Sequence, residues 1–182
     1  RSIFLWVVEH RAGWLDPVFV ALSVVGFAGL VWIALAPLVA YVAKRNALFA
    51  TALTATCVWS ADLIALGLKA ATDRARPFET IPQADPLLRA TVGQSMPSGH
   101  AATSFAGAVI LSYFLPRAAP YVFLLAAAIG FSRIYVGVHY LSDVVAGAAL
   151  GVAVGVAGLG LLRLLRRTSG GRRRSEGAPR GG

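Results

Sequence analysis

From Val18 to Ala43 the chain runs without a single charged residue. A segment of that length and apolarity leaves its backbone only one economical solution, a helix whose N–H and C=O groups pair internally while its side chains face hydrocarbon. A second such stretch, Ala47 to Ala71, is interrupted only by Asp62 and Lys69. Apolar sequence then returns from Ala101 to Leu115, from Ala118 to Ile129 and beyond, and from Leu141 to Leu162. The reading is an all-α, polytopic membrane helical bundle with about five transmembrane helices. Composition agrees: 57% of the 182 residues are hydrophobic, 14% are charged, and the mean hydropathy is +0.69. A soluble domain and a large multidomain enzyme are both excluded.

The first fifteen residues alternate apolar side chains with Glu9, His10 and Arg11 and are too short and too polar to cross. They read as an interfacial helix over 1–16, anchored by Trp6 and Trp14. Residues 1–166 form a single membrane-embedded domain, and 167–182 read as a disordered basic tail. The charge of +9 resides largely in that tail: seven arginines lie between Arg163 and Arg180. The body up to Leu162 carries ten basic and seven acidic residues, only +3. The tail suits anionic lipid at a membrane surface, and no nucleic-acid partner is expected. Cys57 is the only cysteine, so no intrachain disulfide can form. With five spans, Lys44-Arg45, Arg117 and the arginine tail fall on one side, which the positive-inside rule makes cytoplasmic. The loop 72–97 and the segment 132–143 then share the opposite, noncytoplasmic side. Gly147, Gly151 and Gly155 make a small-residue ridge, suited to packing within the bundle or to a homodimer contact.

Polar groups in so apolar a chain are expensive, and they gather in three places. Lys69 ends the second span and Arg76-Pro77 follows seven residues later, so both cations can turn over the same mouth. Pro97-Ser98-Gly99-His100 opens a span, with Ser98 as N-cap and free N–H groups that suit an anion. In Ser132-Arg133 to His139 to Asp143, the last two are four apart, so the carboxylate can accept one imidazole N–H and leave the other nitrogen free. Lys69, Arg76 and Arg133 are three cations, Ser98 and the Gly99 amide are neutral donors, and His100 and His139 can serve as nucleophile and proton donor. A phosphate fits this set. Asp62, two turns before Lys69, reads as a partner for a cation or for a neighbouring helix. Asp73, Arg74, Glu79, Asp85 and Arg89 line the loop and either touch a headgroup or solvate the surface.

The three clusters resemble the signatures of the type 2 phosphatidic acid phosphatase family, K-x6-R-P, P-S-G-H and S-R-x5-H-x3-D, without departure in residue or spacing. That resemblance implies a helical bundle with its site at one end. It makes His139 the nucleophile of a phosphohistidine intermediate, Asp143 its orienting carboxylate, and His100 the general acid that later activates water. Lys69, Arg76, Ser98, Gly99 and Arg133 would bind the phosphoryl oxygens, with neither metal nor other cofactor. The implied substrate is a lipid phosphomonoester or diphosphate, such as polyprenyl diphosphate, phosphatidic acid or phosphatidylglycerol phosphate, reached from a bacterial-type plasma membrane. Two other readings use the same pocket, a vanadate-dependent haloperoxidase and a noncatalytic anion or lipid carrier. The retention of His100, His139 and Asp143 disfavours the carrier, and the membrane spans disfavour the haloperoxidase.

Overall fold

The computed structural model describes residues 2–88 and 93–176, with side chains for 3–88 and 93–168. Arg89 and residues 177–182 lie outside them. Every regular element among the described residues is helical. The order is α1 (Ser2–Glu9), α2 (Asp16–Val25), α3 (Leu30–Val42), α4 (Ala47–Thr72), α5 (Pro77–Thr80), α6 (Gly99–Phe114), α7 (Ala119–Tyr135) and α8 (Leu141–Glu176).

Local chemistry sets the boundaries. The Asn46 side chain accepts from the Phe49 amide at 2.8 Å and caps α4, which stops where Asp73 turns left-handed at φ 41°. Ser98 caps α6 by accepting from the Ala101 amide. Pro120 sits in the first turn of α7, where its missing N–H costs no helical bond. The backbone of α8 continues as helix to Glu176, into the stretch read from sequence as a tail.

Helix α6 is the hub, packed by α3, α4, α7 and α8. Its alanines 101, 102, 106 and 108 are fully buried, and such small side chains let neighbouring helices come close. Gly107 receives the Trp32 ring, whose Nε1 donates to Ser104 Oγ at 3.2 Å. The glycine ridge of α8 is used here as well. A Cβ at Gly147 would lie 2.3 Å from the Ser98 carbonyl oxygen, one at Gly151 2.2 Å from that of Ala102, and one at Gly155 2.8 Å from Val109 Cβ. These three glycines therefore face α6 of the same chain, the within-bundle packing that was one of the two roles expected of the ridge.

Large apolar side chains point outward along the bundle: Leu48, Leu63, Leu66, Leu124 and Leu161 are all more than half exposed. In water such a surface would be a liability; against lipid tails it is the solvated face. The protein is an integral membrane protein. Three segments, Ala47–Thr80, Pro116–Tyr135 and Leu141–Thr168, are long and apolar enough to cross, and the bent pair Asp16–Val25 and Phe27–Val42 makes a fourth when counted as one. Two of the five stretches expected to span depart from a straight, full-length helix. The stretch Val18–Ala43 is broken by a 49° bend, and Ala101–Leu115 falls in a 16-residue helix about 24 Å long, below the ~30 Å hydrocarbon thickness.

The N-terminal helix is shorter than expected and divides its apolar residues. Phe4, Val7 and Val8 are buried in a cluster with Ile81, Ala84 and Tyr135, while Ile3, Trp6 and Trp14 stay exposed. Arg11 ties this corner down, with Nε donating to the Tyr135 carbonyl at 2.7 Å and one terminal nitrogen to that of Asp85 at 2.6 Å. The site lies at this end of the bundle, under α1 and the loop that carries α5.

Candidate active site

His139 sits on the short connection between α7 and α8. That connection folds back because the amides of Val138 and His139 both donate to the Arg133 carbonyl at 3.2 Å, ending α7. Gly137 takes the turn with φ 85°, and a Cβ there would approach Arg11 Nη2 to 2.8 Å. The His139 ring is left only 2% exposed. Its Nδ1 stands 3.5 Å from Asp143 Oδ2, and its Nε2 lies 3.5 Å from an Arg76 terminal nitrogen. A carboxylate can only accept, so the proton belongs on Nδ1 and the Nε2 lone pair faces the cations. Burial pushes the imidazole down to about 4; the Asp143 carboxylate works against that, and Arg133 and Arg76 reinforce it. The ring is thus a neutral base at neutral pH.

Asp143, in the first turn of α8, is fully buried yet saturated with donors. Its carboxylate accepts from Arg74 at 2.7 Å, from the Tyr140 amide at 2.9 Å and from the Ser95 hydroxyl. Its own carbonyl accepts from the Ser98 amide at 2.9 Å, which ties the start of α8 to the start of α6. Arg74 also donates to Ser142 Oγ at 2.7 Å and lies over the Tyr140 ring, 4.4 Å from its centre.

In front of His139 lies a cavity of about 280 Å³ lined by Lys69, Arg76, Gly99, His100 and Arg133, with Asp62, Thr103, Phe27 and Ala28 completing the wall. Arg76 is held from three sides: its amide donates to Glu79 Oε2 at 2.8 Å, Nε to the Gly93 carbonyl at 2.7 Å, and a terminal nitrogen to that of Val138 at 3.1 Å. Arg133 donates to the Ser23 hydroxyl, and its buried Nε has no partner among the described residues. His100 Nε2 lies 3.1 Å from the Ser23 carbonyl. Gly99 allows close approach: a Cβ there would stand 3.0 Å from Asp62 Oδ1. Six of the eight residues singled out in the sequence thus line one cavity, and Asp143 stands directly behind His139. Ser98 is placed differently, fully buried as the α6 cap and outside the cavity lining.

Sequence reasoning missed Ser95 and Ser23 and left Arg74 undecided. Serine carries little signal on its own, and neither Ser23 nor Ser95 lies near its partners in the chain. Asp62 faces the cavity, so of its two expected settings it has the one near the cations.

Chemically, the arrangement provides a neutral imidazole nitrogen, a second histidine across the same space, and three cations around an anion-sized void. That combination suits displacement at phosphorus. The comparisons with known proteins agree. Residues 45–166 match the model of the PAP2 superfamily. The bacitracin transport permease protein BcrC of Bacillus licheniformis is 39% identical over 77 residues, covering 42% of this chain and 38% of that protein, so the match spans less than half of that relative. Two solved structures share the fold: Aquifex aeolicus LpxE, with a TM-score of 0.74, 25% identity and coverage of 87% of this chain and 93% of that one, and a transmembrane PAP2-type phosphatidylglycerolphosphate phosphatase from Bacillus subtilis, with 0.71, 23%, 89% and 83%. With the family match extending over two thirds of its length and including every residue of the three signatures, the chain belongs to the PAP2 superfamily.

Proposed function

We propose that this protein is a membrane phosphatase that removes a phosphoryl group from a lipid through a phosphohistidine on His139. The observation that carries the reading is the single cavity in which His139, His100, Lys69, Arg76 and Arg133 meet. The His139 Nε2 lone pair attacks phosphorus while the bond to the leaving oxygen breaks and His100 gives that oxygen a proton. Water then attacks the same phosphorus, His100 takes its proton, and the P–N bond breaks, with its electron pair returning to Nε2. The sum is ester plus water to alcohol plus phosphate. The three cations bear the charge on the phosphoryl oxygens throughout, which is the work a metal does elsewhere.

The substrate class rests on the outward apolar surface beside the site and on the PAP2-type phosphatase among the structural neighbours. The candidates are phosphatidylglycerol phosphate, phosphatidic acid and a polyprenyl diphosphate. Five crossings follow if α6 is counted as a core-enclosed pass, since it leads from the catalytic end to the end that bears Lys44, Arg45, Phe114 and Arg117. The positive-inside rule then sets the catalytic end outside and the C-terminus in the cytoplasm.

Phosphate release by detergent-purified protein, measured with chelator across these lipids and a water-soluble phosphomonoester, tests the proposal. Release that favours one lipid and survives chelation is expected. Equal release from the soluble ester would remove the lipid assignment, and dependence on added divalent metal would remove the mechanism. The pH profile adds a separate check. His139 gains its blocking proton only near pH 4 in the free protein. With the substrate's own second ionisation near pH 6 divided out, the acid limb of kcat/KM should therefore fall near pH 4; a limb at the ordinary imidazole value of about 6.5 would contradict the buried, neutral nucleophile.

A further inference from the structure

The break in the first membrane segment lies against the catalytic cavity. Helix α2 ends at Val25, and the chain then turns through Phe27–Gly29, with Ala28 at φ 50° and Gly29 at φ 69°. The closing carbonyls of a helix have no partner inside it. That of Ser23, two residues before the end, is directed at His100 Nε2, 3.1 Å away. A carbonyl only accepts, so Nε2 carries the hydrogen and Nδ1 is the ring nitrogen left to exchange a proton with substrate and water. The Ser23 hydroxyl accepts from Arg133. One residue, 1% exposed, therefore holds both the acid and a phosphate-binding cation. Gly26 keeps room for the arrangement, since a Cβ there would lie 3.2 Å from His100 Cδ2 and 2.5 Å from Ile129 Cγ2.

We propose that Ser23 is a positioning residue of the active site, and that the kink between α2 and α3 exists to present it. This rests on the phosphatase reading above. A continuous helix over Val18–Ala43 would engage the Ser23 carbonyl in its own ladder and leave His100 without its acceptor. With one terminal nitrogen of Arg133 anchored by the Ser23 hydroxyl, the unpartnered Nε and the rest of the fork remain for phosphoryl oxygens. The registry between leaving-group oxygen and phosphoryl oxygens is then set by a single residue, 110 positions from Arg133 in sequence and N-terminal to the 45–166 family match.

Ser23→Ala, Ser23→Thr and Gly26→Ala test this in the full chain. Ser23→Ala keeps the carbonyl and loses the hydroxyl, so KM and the inhibition constant of orthovanadate should each rise about tenfold, and the loss in kcat should be smaller. Ser23→Thr restores the hydroxyl and should recover affinity. Gly26→Ala crowds Ile129 and the edge of the His100 ring instead, so kcat should fall about tenfold or more while vanadate affinity is largely kept. Should Ser23→Ala fail to fold, Ser23→Cys, close in size and a poor acceptor, should give the same loss of vanadate affinity. Wild-type KM and vanadate affinity in Ser23→Ala, or equal losses of kcat and affinity in both variants that track a lowered Tm, would overturn the proposal. Vanadate binding read by thermal shift needs no turnover. A wild-type protein that binds vanadate without releasing phosphate would sink the phosphatase reading while the Ser23 comparison still decides its role; one that binds no vanadate would sink both.

Discussion

His139→Asn should abolish turnover, lowering kcat on the order of 10⁴-fold or more, while orthovanadate continues to bind. The asparagine is chosen because the side chain it replaces is only 2% exposed and wedged between Asp143, Ser95 and Arg76. An amide fills part of that space and can accept from Arg76, so the cations keep their places. What it cannot do is form a P–N bond of the phosphohistidine kind. Protein quenched in alkali after exposure to substrate labelled in its phosphoryl group should therefore carry label in the wild type and none in the variant. Activity within tenfold of wild type would remove His139 as nucleophile, and loss of vanadate binding would mean that the change damaged the cavity instead.

Asp143→Asn is expected to lower kcat by about 10³ to 10⁴-fold with a smaller change in KM. Four donors converge on this carboxylate: Arg74, Ser95, the Tyr140 amide and His139 Nδ1. A neutral amide must direct its single oxygen at some of them and its N–H groups at the rest. With the oxygen claimed by Arg74 or the Tyr140 amide, an N–H faces the imidazole and favours the tautomer whose proton sits on Nε2, where the nucleophilic lone pair is needed. Steady-state kinetics beside a thermal melt separate the possibilities. A melt that falls while kcat stays within tenfold of wild type would reduce Asp143 to an anchor for Arg74.

How much of this was legible beforehand depends on how each interaction is spaced along the chain. His139 and Asp143 are one helical turn apart, and Ser98 caps a helix that begins at the next residue, so local geometry suffices for both. The cations and His100 were legible through motif spacing. Arg74 was not assigned, because its partner Asp143 lies 69 residues away and nothing near Arg74 distinguishes it from a solvated loop arginine. Ser95 meets Asp143 across 48 residues and Ser23 meets Arg133 across 110. The bend in the first span was hidden for a related reason. Hydropathy along Val18–Ala43 is unbroken, yet the backbone turns left-handed at Ala28 and Gly29, where a Cβ on Gly29 would come within 2.3 Å of Val58 in α4. The close approach of a neighbouring helix, invisible in a hydropathy window, accompanies the bend.

The sequence by itself determined a membrane-embedded helical bundle and picked out the cations and histidines that meet in one cavity at one end of it. It could do so because the cost of bare backbone in hydrocarbon and the pitch of a helix act over a few residues at a time. The tertiary structure alone decided which side chains stand behind those that line the cavity: Arg74 and Ser95 on Asp143, Ser23 on His100 and Arg133, and the α8 glycines pressed on α6. Those contacts join segments remote in the chain, and their distances depend on how closely whole helices pack, a quantity that no local pattern encodes.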